Sequence, residues 1–197
     1  MGDIIYQLLK EDLCPREIIT EKSVTNAIKA VITVGGSTNA VLHLLAIANI
    51  IDLDINLEDF NTIGKDVPVY GNFKPFGDYL MNDLNNIGGT SKIIKYLLEE
   101  NILDGSTNTI TTKTLADNYK NTFTNDLRNS NQDVFLIDNP IKKDSHIRIF
   151  YGNLAPDVAV GKITGKEGNY FKGKALVFES EDEFLDYIKV HNIKDNV

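Results

Sequence analysis

The stretch Val34-Gly-Gly-Ser-Thr-Asn-Ala-Val-Leu-His-Leu-Leu-Ala-Ile-Ala48 decides how the chain is organised. Two glycines and a polar Ser-Thr-Asn step stand directly before an apolar segment, a pattern typical of a turn that leads into a helix. Gly35 and Gly36 can adopt positive φ and let the backbone approach a neighbour closely. The hydroxyl of Ser37 or Thr38 can cap the helix, and its first amides would suit a carboxylate or a phosphate. The turn is therefore either a ligand-facing loop or a tight junction between two buried helices.

Helices are predicted on both sides of this turn. The apolar stripe of the preceding helix, which ends at the two glycines, consists of Val24, Ile28, Val31 and Ile32. The following helix, over 38–51, is apolar on nearly all sides, which predicts a central and buried position. His43 is its only titratable residue, and a lone histidine in such a helix is more often a hydrogen-bonded core residue than a catalyst.

The pattern of the chain changes near residue 120. Helical faces dominate before that point, and 121–133 is a polar, Asn-rich linker. After the linker, strands are predicted over 134–137, 146–151, 157–163 and 175–179, and a last helix is capped by Ser180. The expected fold class is α+β, with a mainly helical part over 1–120 and a β-rich part over 134–197.

Composition excludes several classes of function. The 197 residues carry a net charge of −8, which argues against a nucleic-acid partner. Cys14 is the single cysteine, so these residues alone form no disulfide and cannot hold an iron–sulfur cluster through several thiolates. No apolar run reaches the roughly 20 residues of a membrane span, and no signal peptide is visible. We expect a soluble intracellular protein, cytoplasmic or in a eukaryotic organelle, with no membrane partner.

Residue patterns alone do not point to a catalytic constellation. The three histidines, His43, His146 and His191, are far apart, and no HExxH or GxSxG motif is present. The segment 161–168 superficially resembles a phosphate-binding loop, but its glycines and lysine do not have the spacing of that motif. A turn that links two strands is the better interpretation of that segment.

The stretch Gly35–Leu44 resembles a hallmark of the dihydroxy-acid dehydratase family, which includes the phosphogluconate and sugar-acid dehydratases. Other segments agree with the family in order and spacing, namely Pro15–Thr20, Asn26–Ile28, Leu57–Phe60, Lys74-Pro75 with Gly77, Asp83-Leu84, Gly88-Gly89, Leu97-Leu98, Lys113–Ala116, Asn139–Ile141, Gly152–Pro156, Lys162–Gly168 and Ala175–Glu179. Asn39–Leu42 resembles the dihydroxy-acid branch, because the phosphogluconate branch tends to have histidine in place of Ala40.

The resemblance implies a hydro-lyase that dehydrates 2,3-dihydroxy acids in valine and isoleucine biosynthesis. It also implies an iron–sulfur cluster and Mg²⁺ in the complete enzyme, which is expected to be a homodimer. In the family, the cluster cysteines and most magnesium ligands lie before the region that this chain matches, and the remaining glutamate and the basic serine lie after it. We therefore expect a central fragment that is inactive alone and binds neither cofactor by itself. It would comprise the end of the helical N-terminal domain and the start of a β-barrel-like C-terminal domain.

On this interpretation no residue of the chain is a catalytic group or a metal ligand. The resemblance places five residues next to the substrate as positioning groups, namely Gly35, Gly36, Ser37, Thr38 and Asn39. Two other interpretations stay open: a non-catalytic fragment that binds a complementary polypeptide, and a fragment of a sugar-acid or phosphogluconate dehydratase.

The chain also departs from the family at four tight turns. Phe76 replaces a usual serine, Ser106-Thr107 replaces an acidic-type turn, and Thr112 and Val158 replace usual glycines. The loss of a glycine costs little where φ is negative and more where φ is positive. These departures put the turns, and the function, in question.

Overall fold

A computed structural model describes residues 2–75, 77–124, 127, 133–166, 168 and 170–191. Its internal contacts divide the chain into two compact units, Met1–Gly165 and Lys166–Val197. The described residues form nine helices and one two-stranded antiparallel sheet, which confirms the α+β fold class. None of the helices in this described part is long and apolar enough to cross a membrane.

The first unit contains eight of these helices and the sheet. The helices are α1 (Gly2–Lys10), α2 (Pro15–Ile18), α3 (Glu21–Thr33), α4 (Asn39–Ile50), α5 (Leu57–Gly64), α6 (Met81–Asn86), α7 (Gly89–Glu99) and α8 (Leu115–Tyr119). The sheet pairs β1 (Ile147–Gly152) with β2 (Ala155–Lys162). In the second unit, α9 (Glu181–Val190) begins at the cap that Ser180 provides, and Phe178 packs on Phe184 and Tyr187.

Side-chain caps begin the two helices that flank α4 in sequence. At α3, the Thr20 hydroxyl accepts a bond from the Ser23 amide at 3.3 Å, and the Thr20 amide donates to the Ser23 hydroxyl at 2.8 Å. At α5, the Asn56 amide donates to Asp59 at 2.7 Å, and the Asn56 side-chain oxygen accepts from the Glu58 amide. Such caps satisfy amides that have no partner within the helix, so they fix where each helix begins.

Two buried clusters form the core of the first unit. The first joins α3, α4, α5 and β1 through Val24, Ile28, Ile32, Val41, Phe60, Val67, Val69, Ile147 and Ile149. The second surrounds α6 and α7 and consists of Tyr70, Phe73, Leu84, Ile87, Ile93, Tyr96, Leu97, Leu103, Leu127, Val134 and Phe135. Residues after 133 therefore complete both cores of the helical part.

The predicted strands are only partly present. The predictions over 146–151 and 157–163 are confirmed by β1 and β2, which form an open two-stranded sheet and not a closed barrel. The prediction over 134–137 is wrong: the segment makes one isolated bridge, Gly71 to Phe135, because its side chains pack into the second core. The segment 175–179 has no strand partner among the described residues, so that strand prediction is also wrong.

The predicted burial of α4 is wrong. Val41 and Ala48 are its only fully buried residues, whereas Leu42 is 67% exposed and Ile50 is 71% exposed. His43 is exposed as well, so it is not a core residue in this structure. One face of α4 packs on α3 and α5, and no described residue covers the opposite face. A helix that is apolar on all sides can be buried on all sides. Its sequence does not show whether another element packs against each face.

Both replaced glycines lie where the backbone is left-handed. Thr112 has a φ of +61° and Val158 a φ of +84°. Val158 lies within a bulge of β2. Phe150 and Gly152 are two residues apart on β1, whereas their partners on β2 are four residues apart. Bulges of this kind commonly place glycine at the positive-φ position, and a β-branched residue there is strained. The departure at Phe76 lies outside the described residues.

We expect Val158→Gly to be more stable than Val158→Ala by about 0.5–1 kcal/mol, the cost of left-handed backbone for a residue with a Cβ less the extra entropy of an unfolded glycine. Both variants lose the methyl groups of Val158, which pack against the first core, so their difference isolates the backbone. Urea denaturation followed by circular dichroism measures the two free energies of unfolding. An alanine variant as stable as the glycine variant would contradict the strain.

Thr112→Gly is expected to raise the free energy of unfolding by about 0.5–1 kcal/mol, the relief of strain less the extra entropy of an unfolded glycine. Thr112 is exposed, and its amide bond to the Thr109 carbonyl, 3.0 Å, survives the change. The same denaturation experiment on Thr112→Ala is the control. Because alanine keeps the Cβ, it should bring no gain.

Candidate functional site

The turn between α3 and α4 requires both of its glycines. Gly35 has a φ of +68°, in the region that favours glycine. At Gly36 the reason is space, since a Cβ there would lie 2.8 Å from Val31 Cγ1 and 3.0 Å from the Val31 carbonyl oxygen. The two amides bond to the carbonyls of Ile32 and Val31, which ends α3 as the sequence predicted.

The first amides of α4 are already bonded within the turn. The Asn39 amide donates to the Ser37 hydroxyl at 3.2 Å, and the Ala40 amide donates to the Ser37 carbonyl at 3.1 Å. The Val41 amide donates to the Thr38 carbonyl at 3.0 Å. Of the two candidate caps, Ser37 therefore caps the turn and Thr38 makes no cap bond. The Asn39, Ala40 and Val41 amides are therefore not free to receive an anion, and anion binding at this turn stays a prediction.

Two side chains from the second half of the chain, an imidazole and an ammonium, donate hydrogen bonds to the carbonyl groups of the turn. The His146 ring donates from Nε2 to the Gly36 carbonyl at 2.8 Å. Lys162 donates from Nζ to the Gly35 carbonyl at 2.8 Å and to the Gly36 carbonyl at 3.2 Å. The turn is therefore fixed by residues that flank or end the β1–β2 hairpin.

Burial keeps His146 neutral. The ring is fully buried, and this burial lowers its pKa to about 4, helped by the positive charges of Lys162 and Lys142. The bond to Gly36 acts in the opposite direction. Because a carbonyl oxygen only accepts, the neutral ring carries its proton on Nε2. Burial also lowers the pKa of Lys162.

A cavity of about 360 Å³ opens beside the turn, and we call it the turn cavity. It is lined by Val34, Gly35, Gly36, Ser37, Thr38, Phe73, Lys74, Pro75, Met81 and Lys162. None of these lining residues is acidic, and two are lysines. The volume is near the lower end of the range for small-molecule sites. The geometry suits a small ligand with one negatively charged end.

Four of the five residues that the resemblance placed beside a substrate line this cavity: Gly35, Gly36, Ser37 and Thr38. Asn39 does not line it and is exposed at the start of α4. Whether any of the five contacts a substrate stays a prediction.

Sequence reasoning missed three residues of this site, Lys74, His146 and Lys162. Lys162 lies 127 positions after Gly35 and His146 lies 110 after Gly36, so no local pattern connects them to the turn. The available signal was the resemblance itself, which includes Lys74-Pro75 and Lys162–Gly168 without assigning a role to either lysine.

A larger cavity, of about 520 Å³, lies between α2, α3 and the segment 106–108. Its wall mixes opposite charges, Arg16 and Lys22 with Glu17 and Glu21. At its edge the Ser106 amide and hydroxyl donate to Asp104 at 2.8 and 2.6 Å, and these bonds hold the pKa of that carboxyl well below its usual range. Ser106, which together with Thr107 replaces the acidic-type turn usual in the family, thus stabilises the turn in this chain. We assign no ligand to this cavity.

The described residues do not fit a metal or cluster site. They contain no group of three or more His, Cys, Asp or Glu side chains that could hold a metal ion. Cys14 is exposed and lies at the start of α2, whereas a cluster needs several thiolates. We therefore derive no chemical step through an iron–sulfur cluster or Mg²⁺.

Comparison with known proteins extends over nearly the whole chain. Residues 1–118 match the family model described as dihydroxy-acid/6-phosphogluconate dehydratase N-terminal, and residues 134–197 match its C-terminal counterpart. A protein named dihydroxy-acid dehydratase from Vesicomyosocius okutanii is 48% identical over 98% of the chain, which covers 35% of that relative.

Two eukaryotic relatives show the same similarity. The chloroplastic dihydroxy-acid dehydratase of Arabidopsis thaliana is 48% identical over 93% of the chain, which covers 30% of it. The mitochondrial dihydroxy-acid dehydratase of Saccharomyces cerevisiae is 45% identical over 98% of the chain, which covers 33% of it. The chain thus spans about a third of the length of these relatives. On these matches, the chain belongs to the dihydroxy-acid/6-phosphogluconate dehydratase family.

Proposed function

We propose that the chain is the central part of a hydro-lyase that dehydrates 2,3-dihydroxy-3-methyl acids to 2-keto acids in branched-chain amino acid biosynthesis. The observation that supports this most strongly is the 45–48% identity to dihydroxy-acid dehydratases over at least 93% of the chain. The division into a helical domain over 1–120, a linker over 121–133 and a C-terminal domain from 134 is part of the same proposal.

Within that enzyme, the turn cavity would form one wall of the substrate site. The chain's own residues would bind and orient the substrate there, and they would carry out no bond-breaking step. The hydroxyl of Thr38 is not used as a cap, and Ser37 and Lys162 keep the turn in one conformation. The residues that hold the iron–sulfur cluster and Mg²⁺ would come from the family's sequence outside this region.

The test is a chimaera. Residues 1–197 replace the matching third of the V. okutanii relative, and the product is expressed in a bacterium that lacks its own enzyme. We expect growth without added valine and isoleucine. Purified residues 1–197 alone should show no turnover of 2,3-dihydroxyisovalerate, and measurable turnover would contradict the proposal.

A second chimaera carries Thr112→Gly and Val158→Gly, which restore the glycines usual in the family. If only this version supports growth, the region is competent and the strained turns are what impair it. If neither chimaera supports growth although both are folded and abundant, the proposed function is wrong for this chain.

The exposed face of α4 favours a second candidate, a fragment that acts by binding. Leu42, Ile47 and Ile50 are 40–71% exposed, and such apolar patches mark interaction surfaces. Their occupant would be the dehydratase polypeptide outside this region, since the chain covers only 35% of the V. okutanii relative. The homodimer expected of the complete enzyme and a location in the cytosol or an organelle belong to the same proposal.

Co-purification with the two flanking pieces of the V. okutanii relative tests this candidate. Leu42→Glu with Ile50→Glu should abolish binding, and Ile110→Glu, which changes a similarly exposed residue elsewhere, should not. A chain that is monomeric by light scattering, unfolds cooperatively and binds neither piece argues against it. A sugar-acid specificity would appear as growth of the chimaera on a sugar acid instead, and Ala40 speaks against that branch.

A further inference from the structure

We propose that the chain forms a two-fold dimer in which helix α1 of each copy lies in an apolar groove of the other copy. The groove is a cavity of about 380 Å³ in the first unit, and we call it the α3–α7 groove. Its apolar lining includes Ala27, Ala30, Ile94, Leu103, Ile110 and Leu115. This dimer is a property of the chain itself and does not depend on the proposed function.

The chemistry of the groove favours an apolar occupant. None of the described residues that line it is charged. Two of its polar side chains are already bonded within the chain. Asn26 donates from Nδ2 to the Asp104 carbonyl and accepts from the Asp104 amide, both at 2.8 Å, and the Thr107 hydroxyl donates to the same carbonyl. A polar ligand would compete with these bonds, whereas apolar side chains would only displace water from the lining.

Helix α1 carries an apolar ridge that the rest of the described chain leaves largely uncovered. Ile5 and Leu9 are four positions apart, so their side chains lie on one face of the helix. Ile5 is 58% exposed and Leu9 is 76% exposed, and Tyr6 beside them is 71% exposed. Ile4, by contrast, is half-buried and lines a cavity with the segment 110–113. The helix thus uses one part of its apolar surface within the chain, and the ridge remains for another partner.

The ridge and the groove are neighbours on the surface of the first unit. Ile110 lines the α3–α7 groove, and it also lines the cavity that holds Ile4 of α1. No residue of α1, which the structure describes in full, lines the groove of its own chain. Because a single patch contains both surfaces, a two-fold axis through it would let the α1 ridge of each copy enter the groove of the other. The same contact would then be made twice.

The extent of this contact is sufficient for a reversible dimer. Helix α1 has nine residues, so it is about 14 Å long and about 10–12 Å wide. Two such helices, each half covered by a groove of the other copy, would bury on the order of 1,000 Å² in total, near the lower limit for a specific interface. The charges are complementary as well, since the exposed Lys113 lies beside Ile110 and α1 with its C-terminal turn carries Asp3, Glu11 and Asp12.

Sedimentation equilibrium of the 197-residue chain tests the proposal. We expect a monomer–dimer equilibrium with a Kd of about 1–100 µM. Leu9→Glu places a charge on the ridge and Ala27→Leu fills the groove, so each should weaken the dimer at least tenfold. Leu42→Glu and Ala46→Leu make the same two changes at exposed positions of α4 and should leave the Kd within about threefold of the wild type. Circular dichroism confirms that each variant is folded.

A mixture of the two disruptive variants tests the reciprocal exchange. Leu9→Glu keeps an intact groove and Ala27→Leu keeps an intact ridge, so the mixture can form one complete contact and neither variant alone can form any. The mixture should therefore associate more strongly than either variant by itself. A mixture that associates no more strongly than its components would contradict the exchange of α1.

Three other results would overturn the proposal. The first is a chain that stays monomeric at the highest concentration. The second is a dimer that Leu42→Glu weakens and Leu9→Glu does not, which would move the interface to α4. The third is a monomer in which 1-hexanol shifts the amide signals of Ala27 and Ala30 in ¹H–¹⁵N spectra, which would assign the groove to a small apolar molecule.

Discussion

Phe135→Ala is expected to lower the free energy of unfolding by about 3–5 kcal/mol, the usual cost of truncating a buried phenylalanine. Phe135 is fully buried in the second core. Its ring centroid lies 5.4 Å from that of Tyr70 and 6.0 Å from that of Tyr96, in tilted and edge-on contacts. Alanine would leave a cavity between these rings, and it would also remove favourable aromatic contacts.

Urea denaturation of the full chain, followed by circular dichroism, measures this loss. Phe123→Ala is the matched control: the same chemical change at a residue that is 78% exposed should stay within about 0.5 kcal/mol of the wild type. A loss below about 1 kcal/mol at Phe135 would mean that the segment after 133 does not complete the core of the helical part.

The second large effect is a pH dependence from His146. Its pKa of about 4 in the folded chain lies below the ordinary value of 6.5, so the unfolded chain binds the proton more readily. The stabilising contribution of the neutral ring is therefore complete above pH 6.5 and is lost as the pH falls toward 4. At 1.36 kcal/mol per unit of pKa, the loss amounts to about 3 kcal/mol.

The comparison of the wild type with His146→Gln isolates this contribution, because glutamine keeps an amide donor for the Gly36 carbonyl and does not titrate. Between pH 7.5 and pH 4.5, the free energy of unfolding should decrease less for the glutamine variant than for the wild type. Carboxylates such as Asp104, whose pKa is lowered by its bonds to Ser106, contribute equally to both proteins and cancel. Parallel pH curves for the two proteins would contradict the neutral buried ring.

The parts of this fold that the sequence predicted are those that depend on near neighbours. The cap at Ser180 involves the Glu183 amide, three positions further on, and it forms as predicted. The end of α3 at Gly35 is also local. The strain at Thr112 and Val158 followed once the backbone was known, because the sequence showed which residues had replaced glycine but not the sign of φ.

The errors have a common physical origin in contacts between distant residues. The apolar residues of α4 predicted burial, but only the structure shows that the Leu42 side lies uncovered. Apolar residues around Phe135 predicted a strand, and they are buried by side-chain packing with a single bridge. The glycine turn of the candidate site was predicted because it is a local feature. The two lysines and the histidine of the site were missed because they come from elsewhere in the chain.

The bonds from His146 and Lys162 to the glycine turn also set an order of events in folding. Contacts between residues so far apart close late, because the entropy of a long loop must be overcome first. During synthesis at about 5–20 residues per second, Lys162 emerges roughly 6–25 s after Gly35, from which it is separated by 127 positions. Helices α3 and α4 would therefore be present on the ribosome before His146 and Lys162 can bond to the turn between them. Pulse labelling of stalled chains should show these helices protected before Lys162 is added and the turn cavity closed only afterwards.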